Sequence, residues 1–310
     1  MAMRWADRCA AAAVAAALAG CGQTHPAAVA THGSAPGGLP AGAVPTAVAF
    51  WTARRGLIGG VVPGRRSAPF SCQPRCRGSF VALTADGGHT WRVVWRGGGR
   101  LGALRTAGPH TVWQTFTRCA DPARCTAWAE SSDSGRTWHV QALPGPMTAN
   151  PCRHEGWSTH SVVWPRADRG WALCITSVGG GGMIGRAVLE TTDAGQHWRV
   201  ATDAPFDSAN HGMSSYGDPE GIDFLADGHG WLWQGPRGVS MATTNGGRRW
   251  RPLGLGTSDA VWICSGWFVT ARIGYALLAD PGSDRMTLER TATGGAGWSA
   301  VHRWRLHGLD

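Results

Sequence analysis

The sequence contains no lysine and only two tyrosines, so each of the 29 basic residues in this 310-residue chain is an arginine. Charged residues are scarce at 16 %, whereas glycine (46 residues) and tryptophan (18 residues) are abundant. This composition is typical of short β-strands joined by tight turns and argues against long helices. The formal net charge is +9, but no run of arginines is longer than two. We therefore interpret the basic balance as compositional and expect no nucleic-acid partner.

The first 20 residues are predicted to be a secretory signal. Arg4 and Arg8 precede an apolar stretch, residues 10–19, that is too short to span a membrane. The sequence LAGC at residues 18–21 resembles the lipobox of bacterial lipoproteins. This resemblance implies a lipid on Cys21 and attachment to the outer face of the bacterial cell membrane. The alternative is an ordinary signal peptide with a chance cysteine.

The residues after Cys21 have the composition of a flexible tether. Residues 21–45 are rich in alanine, glycine, proline, serine and threonine and carry almost no charge, so they cannot build a core. Residues 46–310 are long enough for one large all-β domain, and we expect a monomer.

Export to an oxidising compartment would allow the cysteines to pair. We expect disulfides between cysteines that lie close in sequence: Cys72–Cys76, Cys119–Cys125 and, more loosely, Cys152–Cys174. Cys264 is then left over as a small buried apolar residue. A zinc site is the alternative, but neither close pair has the CxxC form. We expect no metal and no cofactor.

An eight-residue motif occurs five times along the chain. Its copies are TADGGHTW (84–91), SSDSGRTW (131–138), TTDAGQHW (191–198), TTNGGRRW (243–250) and TATGGAGW (291–298). The first position is always serine or threonine. The third position holds Asp86, Asp133, Asp193, Asn245 and Thr293. The fifth is always glycine, at Gly88, Gly135, Gly195, Gly247 and Gly295, and the eighth is always tryptophan, at Trp91, Trp138, Trp198, Trp250 and Trp298.

The residues at these positions favour a turn over a reactive site. An aspartate carboxylate can accept hydrogen bonds from backbone N–H groups one and two residues on, and glycine supplies the positive φ of a tight reversal. The hydroxyl reinforces the bend, and the tryptophan begins the next strand. The third position changes from aspartate through asparagine to threonine, which a turn tolerates and a nucleophile does not.

The spacing of the motif predicts a β-propeller. Apolar or β-branched runs flank each copy, and a second glycine-containing turn, as in RADRGWALC (166–174), precedes most copies. Successive motif tryptophans are 47, 60, 52 and 48 residues apart, which suits one four-stranded antiparallel blade per copy. We predict five blades. The alternative is a sixth blade built from divergent terminal segments.

The five-copy motif resembles the Asp-box, or BNR repeat, of sialidases, sortilin-type receptors, some endoglucanases and photosystem-assembly-factor-like propellers. The resemblance covers about residues 47–304 and implies a propeller fold of the sialidase superfamily type, also grouped with WD40/YVTN-like repeats. It implies that the motifs are structural hairpins away from the ligand face. Members do different things, so the resemblance does not select a function.

The sharpest enzymatic hypothesis is a sialidase-like or other glycoside hydrolase. It would need a tyrosine nucleophile, and the chain offers only Tyr216 and Tyr275, the second in an apolar run. Tyr216 lies in SSYGDPEGIDF (214–224) with Asp218, Glu220 and Asp223, which could flank a sugar. The alternative interpretation is a solvated connecting loop. The chain has no Arg-Ile-Pro motif of the sialidase kind.

Two further segments resemble a metal site and a phosphate-binding loop, respectively. Residues 150–160 contain His154, Glu155 and His160, but their proline and glycine argue against the helix of an HExxH site. The GxGxxG within residues 179–185 leads into a strand and offers no helix N-terminus to a phosphate. From the sequence we therefore expect a lipid-anchored, extracytoplasmic binding or assembly scaffold for an envelope protein or glycan, more in line with a non-enzyme, with a glycoside hydrolase as the alternative.

Overall fold

The computed structural model describes residues 38–63, 76–97, 100–107, 110–117, 126–141, 151–152, 157–176, 184–204, 209–210, 212–215, 217–235, 238–255 and 261–306. These residues form an all-β structure in which five four-stranded antiparallel sheets are the blades of a propeller. The prediction of five four-stranded blades is confirmed. Each blade is one continuous stretch of chain, with its four strands hydrogen-bonded in sequence order.

The blades have the following strands. Blade 1 contains β1 (Val44–Phe50), β2 (Gly56–Pro63), β3 (Cys76–Thr84) and β4 (Arg92–Gly97). Blade 2 contains β5 (Arg100–Ala107), β6 (Thr111–Thr117), β7 (Thr126–Ser131) and β8 (His139–Gln141). Blade 3 contains β9 (Trp157–Val163), β10 (Gly170–Thr176), β11 (Arg186–Thr191) and β12 (Arg199–Ala204).

After blade 3 the strands β13 (Ala209–Asn210) and β14 (Met213–Ser214) form a short separate hairpin. Blade 4 contains β15 (Pro219–Phe224), β16 (Gly230–Gln234), β17 (Met241–Thr243) and β18 (Arg251–Pro252). Blade 5 contains β19 (Trp262–Phe268), β20 (Gly274–Asp280), β21 (Arg285–Thr291) and β22 (Ser299–Arg305), with a 3-10 turn at Pro281–Ser283. Among the described residues no helix has the length and apolar character that a membrane crossing needs.

The first strand of each blade lies nearest the propeller axis, where β1 contacts β5 and β19, and β15 contacts β9 and β19. We call the end of the ring that carries the first-to-second and third-to-fourth strand turns the lower face, and the opposite end the upper face. All five motifs join the third strand to the fourth and therefore lie on the lower face. β1 begins and β22 ends at the upper face. β1 starts at Val44, two residues before the expected domain boundary.

Stacked aromatic rings join blades 3, 4, 5 and 1. An aromatic residue near the start of the second strand stacks on a phenylalanine at the end of the next blade's first strand, in the pairs Trp171–Phe224, Trp231–Phe268 and Tyr275–Phe50, with ring centroids 3.6–4.4 Å apart. The motif tryptophan of that next blade meets the same phenylalanine edge-on, in the pairs Phe224–Trp250, Phe268–Trp298 and Phe50–Trp91. Tyr275 is fully buried, as its apolar context predicts.

The ring closes between blade 5 and blade 1 without a shared strand. The Tyr275–Phe50 stack is supported by a hydrogen bond from the Tyr275 hydroxyl to the Ala53 carbonyl at 2.6 Å. The Trp267 indole N–H donates to the Phe50 carbonyl at 2.8 Å, and one apolar cluster spans both blades. The closing junction therefore has the same aromatic stack and edge-on motif tryptophan as the junctions between blades 3 and 4 and between blades 4 and 5.

The structure contains the predicted disulfide between Cys152 and Cys174, which ties the start of blade 3 to its second strand. Cys264 also forms a disulfide, so the expectation that it is left over is wrong. Spacing along the chain indicates only disulfides between cysteines that are close in sequence, and Cys264 has no such neighbour. The side chains of Cys72, Cys76, Cys119 and Cys125 lie outside the described residues.

Candidate functional site

The lower face carries the five motif turns, which use their polar groups internally. In every turn the first-position hydroxyl accepts a hydrogen bond from the fifth-position glycine N–H, at 2.7–3.1 Å. In every turn the third-position side-chain oxygen accepts from the backbone N–H of the seventh residue, at 2.8–2.9 Å. Thr293 makes this bond through its hydroxyl, so the turn survives without a carboxylate.

The turn geometry differs in two ways from the expected one. The Asp133 carboxylate binds N–H groups three and four residues on, those of Arg136 and Thr137, and not one and two residues on. The fourth position also has positive φ, which the sequence did not indicate at Ser134 (64°) and Ala194 (59°). This conformation turns the fourth-position N–H outward from the motif.

The outward N–H joins each motif to the neighbouring first-to-second strand turn of its own blade. The donor–acceptor pairs are Gly87–Arg54, Ser134–His110, Ala194–Asp168, Gly246–Gly228 and Gly294–Arg272, with distances of 2.8–2.9 Å. The turn that accepts this hydrogen bond in blade 3 belongs to the glycine-containing segment RADRGWALC (166–174), which the sequence shows ahead of the motif. The two repeated turns therefore form one hydrogen-bonded unit in each blade.

The turn bonds shift the pKa of the motif carboxyls. Burial alone would raise the pKa of Asp86, but the hydroxyl and N–H of Thr90 outweigh it and lower the value to about 2. The N–H and ring of His197 lower the pKa of Asp193 to about 2. The pKa of Asp133 is also lowered, because bonds from Thr137, Ser131 and Arg136 outweigh burial. These carboxylates are engaged as acceptors and stay ionised.

The candidate catalytic carboxylates Asp218, Glu220 and Asp223 lie at different levels along one strand and the residue that precedes it. Tyr216 lies outside the described residues. Asp218 is exposed just before β15, Glu220 is half-buried in β15, and Asp223 is buried near the lower end of the same strand. Residues 219–224 are thus an axial strand, so the interpretation of this segment as a solvated loop is wrong. Pro219 and Gly221 are accommodated by a register shift between them.

Asp223 is used by the fold at the axis. Its Oδ2 accepts the Phe268 N–H of blade 5 at 2.8 Å. Burial raises the pKa of Asp223 to about 6, opposed by that N–H and by the Arg105 guanidinium of blade 2. Arg105 also lies over the Trp267 ring, 5.7 Å from its centroid. These contacts connect blades 2, 4 and 5 across the axis.

Two basic side chains near the upper end of blade 3 bind the chain that enters blade 4. His160 is exposed, but the protein atoms packed around its ring partly desolvate it and lower its pKa, and ring bonds to the backbone of Pro219 and Glu220 oppose the shift. Arg186 is fully buried, and its guanidinium donates to the carbonyls of Ser215 at 3.0 Å and Gly217 at 2.7 Å. The sequence signal for Arg186 is weak, namely an arginine directly before the apolar residues Ala-Val-Leu of β11.

The described residues contain no group of three histidine, cysteine, aspartate or glutamate side chains placed to hold a metal. His160 lies in β9, whereas His154 and Glu155 fall outside the described part of the chain. The described residues therefore do not test whether His154, Glu155 and His160 form a cluster.

No protein-family model and no curated protein matches the chain. Among solved structures it is similar to YCF48 bound to a D1 peptide (16 % identity, 88 % of this chain and 86 % of that chain, TM-score 0.34). It is similar also to YCF48 from Cyanidioschyzon merolae (16 %, 86 % and 87 %, TM-score 0.36). A third similar structure is the Hadza microbial sialidase Hz136 (16 %, 85 % and 58 %, TM-score 0.43). At these values the similarities assign neither an activity nor a partner.

Proposed function

We propose that the propeller is a non-catalytic scaffold that binds an envelope protein or glycan through its upper face, and that a lipid on Cys21 holds it at the outer face of the cell membrane. The scaffold is rigid because each motif is hydrogen-bonded to a turn of its own blade, and buried aromatic stacks join blades 3, 4, 5 and 1. Recognition then belongs to the connections that these blades present.

The observation that carries the proposal is the contrast in loop length between the two faces. Seven residues separate the third and fourth strands of every blade, at 85–91, 132–138, 192–198, 244–250 and 292–298. On the upper face, the connections between blades range from two residues (98–99) to fifteen (142–156). A constant turn is expected of a structural element, whereas loops of variable length are where binding residues concentrate.

A glycoside hydrolase is the second candidate, favoured by the position of Asp218 and Glu220 at the upper end of an axial strand. Inverting and retaining hydrolases need two carboxyl groups facing each other across the sugar. Asp223, the third carboxylate of this strand, is bonded to the Phe268 N–H and unavailable to a substrate. This supports the scaffold over the enzyme.

The test is a turnover screen of residues 38–310 against aryl sialosides and β-glycans, run beside a glycan-binding array. We expect no turnover. Turnover that Asp218→Asn or Glu220→Gln abolishes, at unchanged thermal stability, would establish the hydrolase in place of the scaffold. Arg249→Gln, an exposed change on the lower face, is the matched control and should alter neither readout.

A further inference from the structure

The interface between blades 3 and 4 buries a group of polar atoms without protein partners. They are Nη1 of Arg186, Oγ1 of Thr202, and both Oε1 and Nε2 of Gln234. Arg186 and Gln234 are 0 % exposed and Thr202 is 3 % exposed. Buried polar groups in proteins nearly always have a hydrogen-bond partner, so several such atoms in one interface call for an occupant.

The strand registers place these side chains on facing surfaces. Arg186 is two residues before Val188, and Thr202 pairs directly with Val188, so all three point to the same side of blade 3. Val188 belongs to the apolar cluster shared by blades 3 and 4. On blade 4, Leu232 belongs to the same cluster, and Gln234 lies two residues further along β16. The three polar side chains therefore enter one interface.

The position along the interface is fixed by the chain beneath the upper face. Arg186 donates to the carbonyl of Gly217, and Gln234 pairs with Pro219 two residues further on. The Gln234 side chain packs against Gly238, so closely that a Cβ at position 238 would lie 2.8 Å from the Gln234 Oε1. Arg186 therefore lies beneath Ser215 and Gly217, and Gln234 lies at the same upper end of the interface.

The charge of Arg186 is not neutralised by direct contact with a carboxylate of the described residues. Among the described residues no aspartate or glutamate oxygen forms an ion pair with Arg186, and Asp218, whose charge acts on it, is exposed. Burying an unpaired charge is costly, and a water molecule would satisfy the N–H without supplying the opposite charge. An anion would do both.

We propose that a small monovalent anion of the size of chloride binds between Arg186 Nη1, Thr202 Oγ1 and Gln234 Nε2. The three groups supply hydrogen-bond donors, and the guanidinium supplies the charge. The surrounding side chains of Val188, Met213 and Leu232 are buried and apolar, which favours a compact ion over a polyatomic one. By fixing the Arg186 guanidinium, the anion supports its hydrogen bonds to the carbonyls of Ser215 and Gly217, which precede β15.

The experiment uses chloride and bromide as probes. The chain is unfolded by heat at constant ionic strength while gluconate is replaced by either halide. We expect a saturable rise in Tm of about 2–4 °C, because the ion binds only the folded state. A Tm that is the same in all three salts would overturn the proposal.

Two variants separate this site from general salt effects. Thr202→Val removes one donor with little change of shape and should raise the half-saturating halide concentration about 3–10-fold. Ser79→Ala removes another buried, unpartnered hydroxyl in blade 1 and should leave the halide response unchanged. Equal responses of the two variants would contradict the site.

Crystals grown in bromide locate the ion directly. We expect an anomalous peak within about 3.5 Å of Arg186 Nη1. A water molecule in that place, or a direct hydrogen bond between Arg186 and Gln234 that leaves no room for an ion, would overturn the proposal. This readout does not require any variant to fold.

Discussion

At the scale of single residues, the hydroxyl that opens each motif is the most constrained group of the turn. Ser131 is fully buried, donates to Asp133 and accepts the Gly135 N–H. Asp133, by contrast, is half-exposed, and its carboxylate accepts hydrogen bonds from the backbone N–H groups of Arg136 and Thr137. The variation at the third position follows from this difference, since carboxylate, amide and hydroxyl all offer one oxygen to the seventh-residue N–H.

We expect Ser131→Ala to lower the free energy of unfolding by about 1–3 kcal/mol, because it leaves the buried Gly135 N–H without an acceptor. Asp133→Ala should cost about 1 kcal/mol or somewhat more, and Asp133→Asn clearly less, as Asn245 makes the equivalent bond. Chemical denaturation of the three variants checks the order. An Asp133→Ala protein with full stability and altered ligand binding would contradict the structural role of the turns.

The motif carboxyls make stability depend on acid. The pKa of Asp86 and of Asp193 is about 2 in the folded state against 3.8 when unperturbed, so the unfolded state binds protons first as pH falls. Their stabilisation is present above pH 4 and is lost between about pH 4 and pH 2. Thermal unfolding across that window should show a drop that Asp193→Asn reduces. A Tm that is flat from pH 5 to pH 2 would be inconsistent with these pKa values.

Asp223 has the opposite pH dependence. Its pKa is raised to about 6, so its contribution to stability is full below pH 3.8 and is lost as pH rises through 6. Relative to Asp223→Asn, which keeps an acceptor for the Phe268 N–H, the wild type should lose on the order of 1–3 kcal/mol between pH 4 and pH 7. Denaturation of both proteins at the two pH values measures it. Parallel curves would show that the carboxyl titrates normally.

At the scale of the structural elements, the aromatic stacks determine how the blades meet. The closing junction uses Tyr275 on Phe50, and an internal junction uses Trp171 on Phe224, with the same edge-on motif tryptophan. Each of the two second-strand aromatics also donates to a lower-face carbonyl of the next blade, Ala53 or Gly246. The junction between blades 5 and 1 therefore resembles the internal junction between blades 3 and 4.

We expect Tyr275→Ala and Trp171→Ala each to cost about 3–5 kcal/mol, because both remove a fully buried aromatic ring. Tyr275→Phe should cost only about 1 kcal/mol, through the lost bond to Ala53. Equilibrium unfolding gives all three values. A much larger loss for Tyr275→Ala, with unfolding that begins at blades 5 and 1, would mean that closure is a special junction.

The elements could be predicted from the sequence where they depend on local chemistry. The motif turns recur because hydroxyl, acceptor, glycine and tryptophan act within eight residues, and their spacing indicates the blade. The error at residues 219–224 has a physical reason, since Pro219 and Gly221 look like a loop until a register shift accommodates them in β15. The burial of Arg186, Asp223 and Gln234 depends on packing between blades, which no local pattern reports.

At the scale of the whole molecule, the two faces of the propeller differ in structure. The lower face repeats one hydrogen-bonded unit five times, and the upper face carries connections of unequal length together with both ends of the described chain. A lipid on Cys21 would therefore attach on the side of the upper face, through a tether of about 20 residues that reaches at most roughly 70 Å. Cys21→Ala should release the protein from membranes in a fractionation experiment, and continued partition with membranes would refute the anchor.

Site-specific photo-cross-linking in the producing cells tests whether recognition occurs on the upper face. A photoreactive residue is placed at Asp218 on the upper face or at Arg249 on the lower face, both exposed. We expect a discrete cross-linked partner from position 218 and none from position 249, with equal amounts of folded protein. A discrete partner from position 249 alone would contradict it and move recognition to the face of the repeated turns.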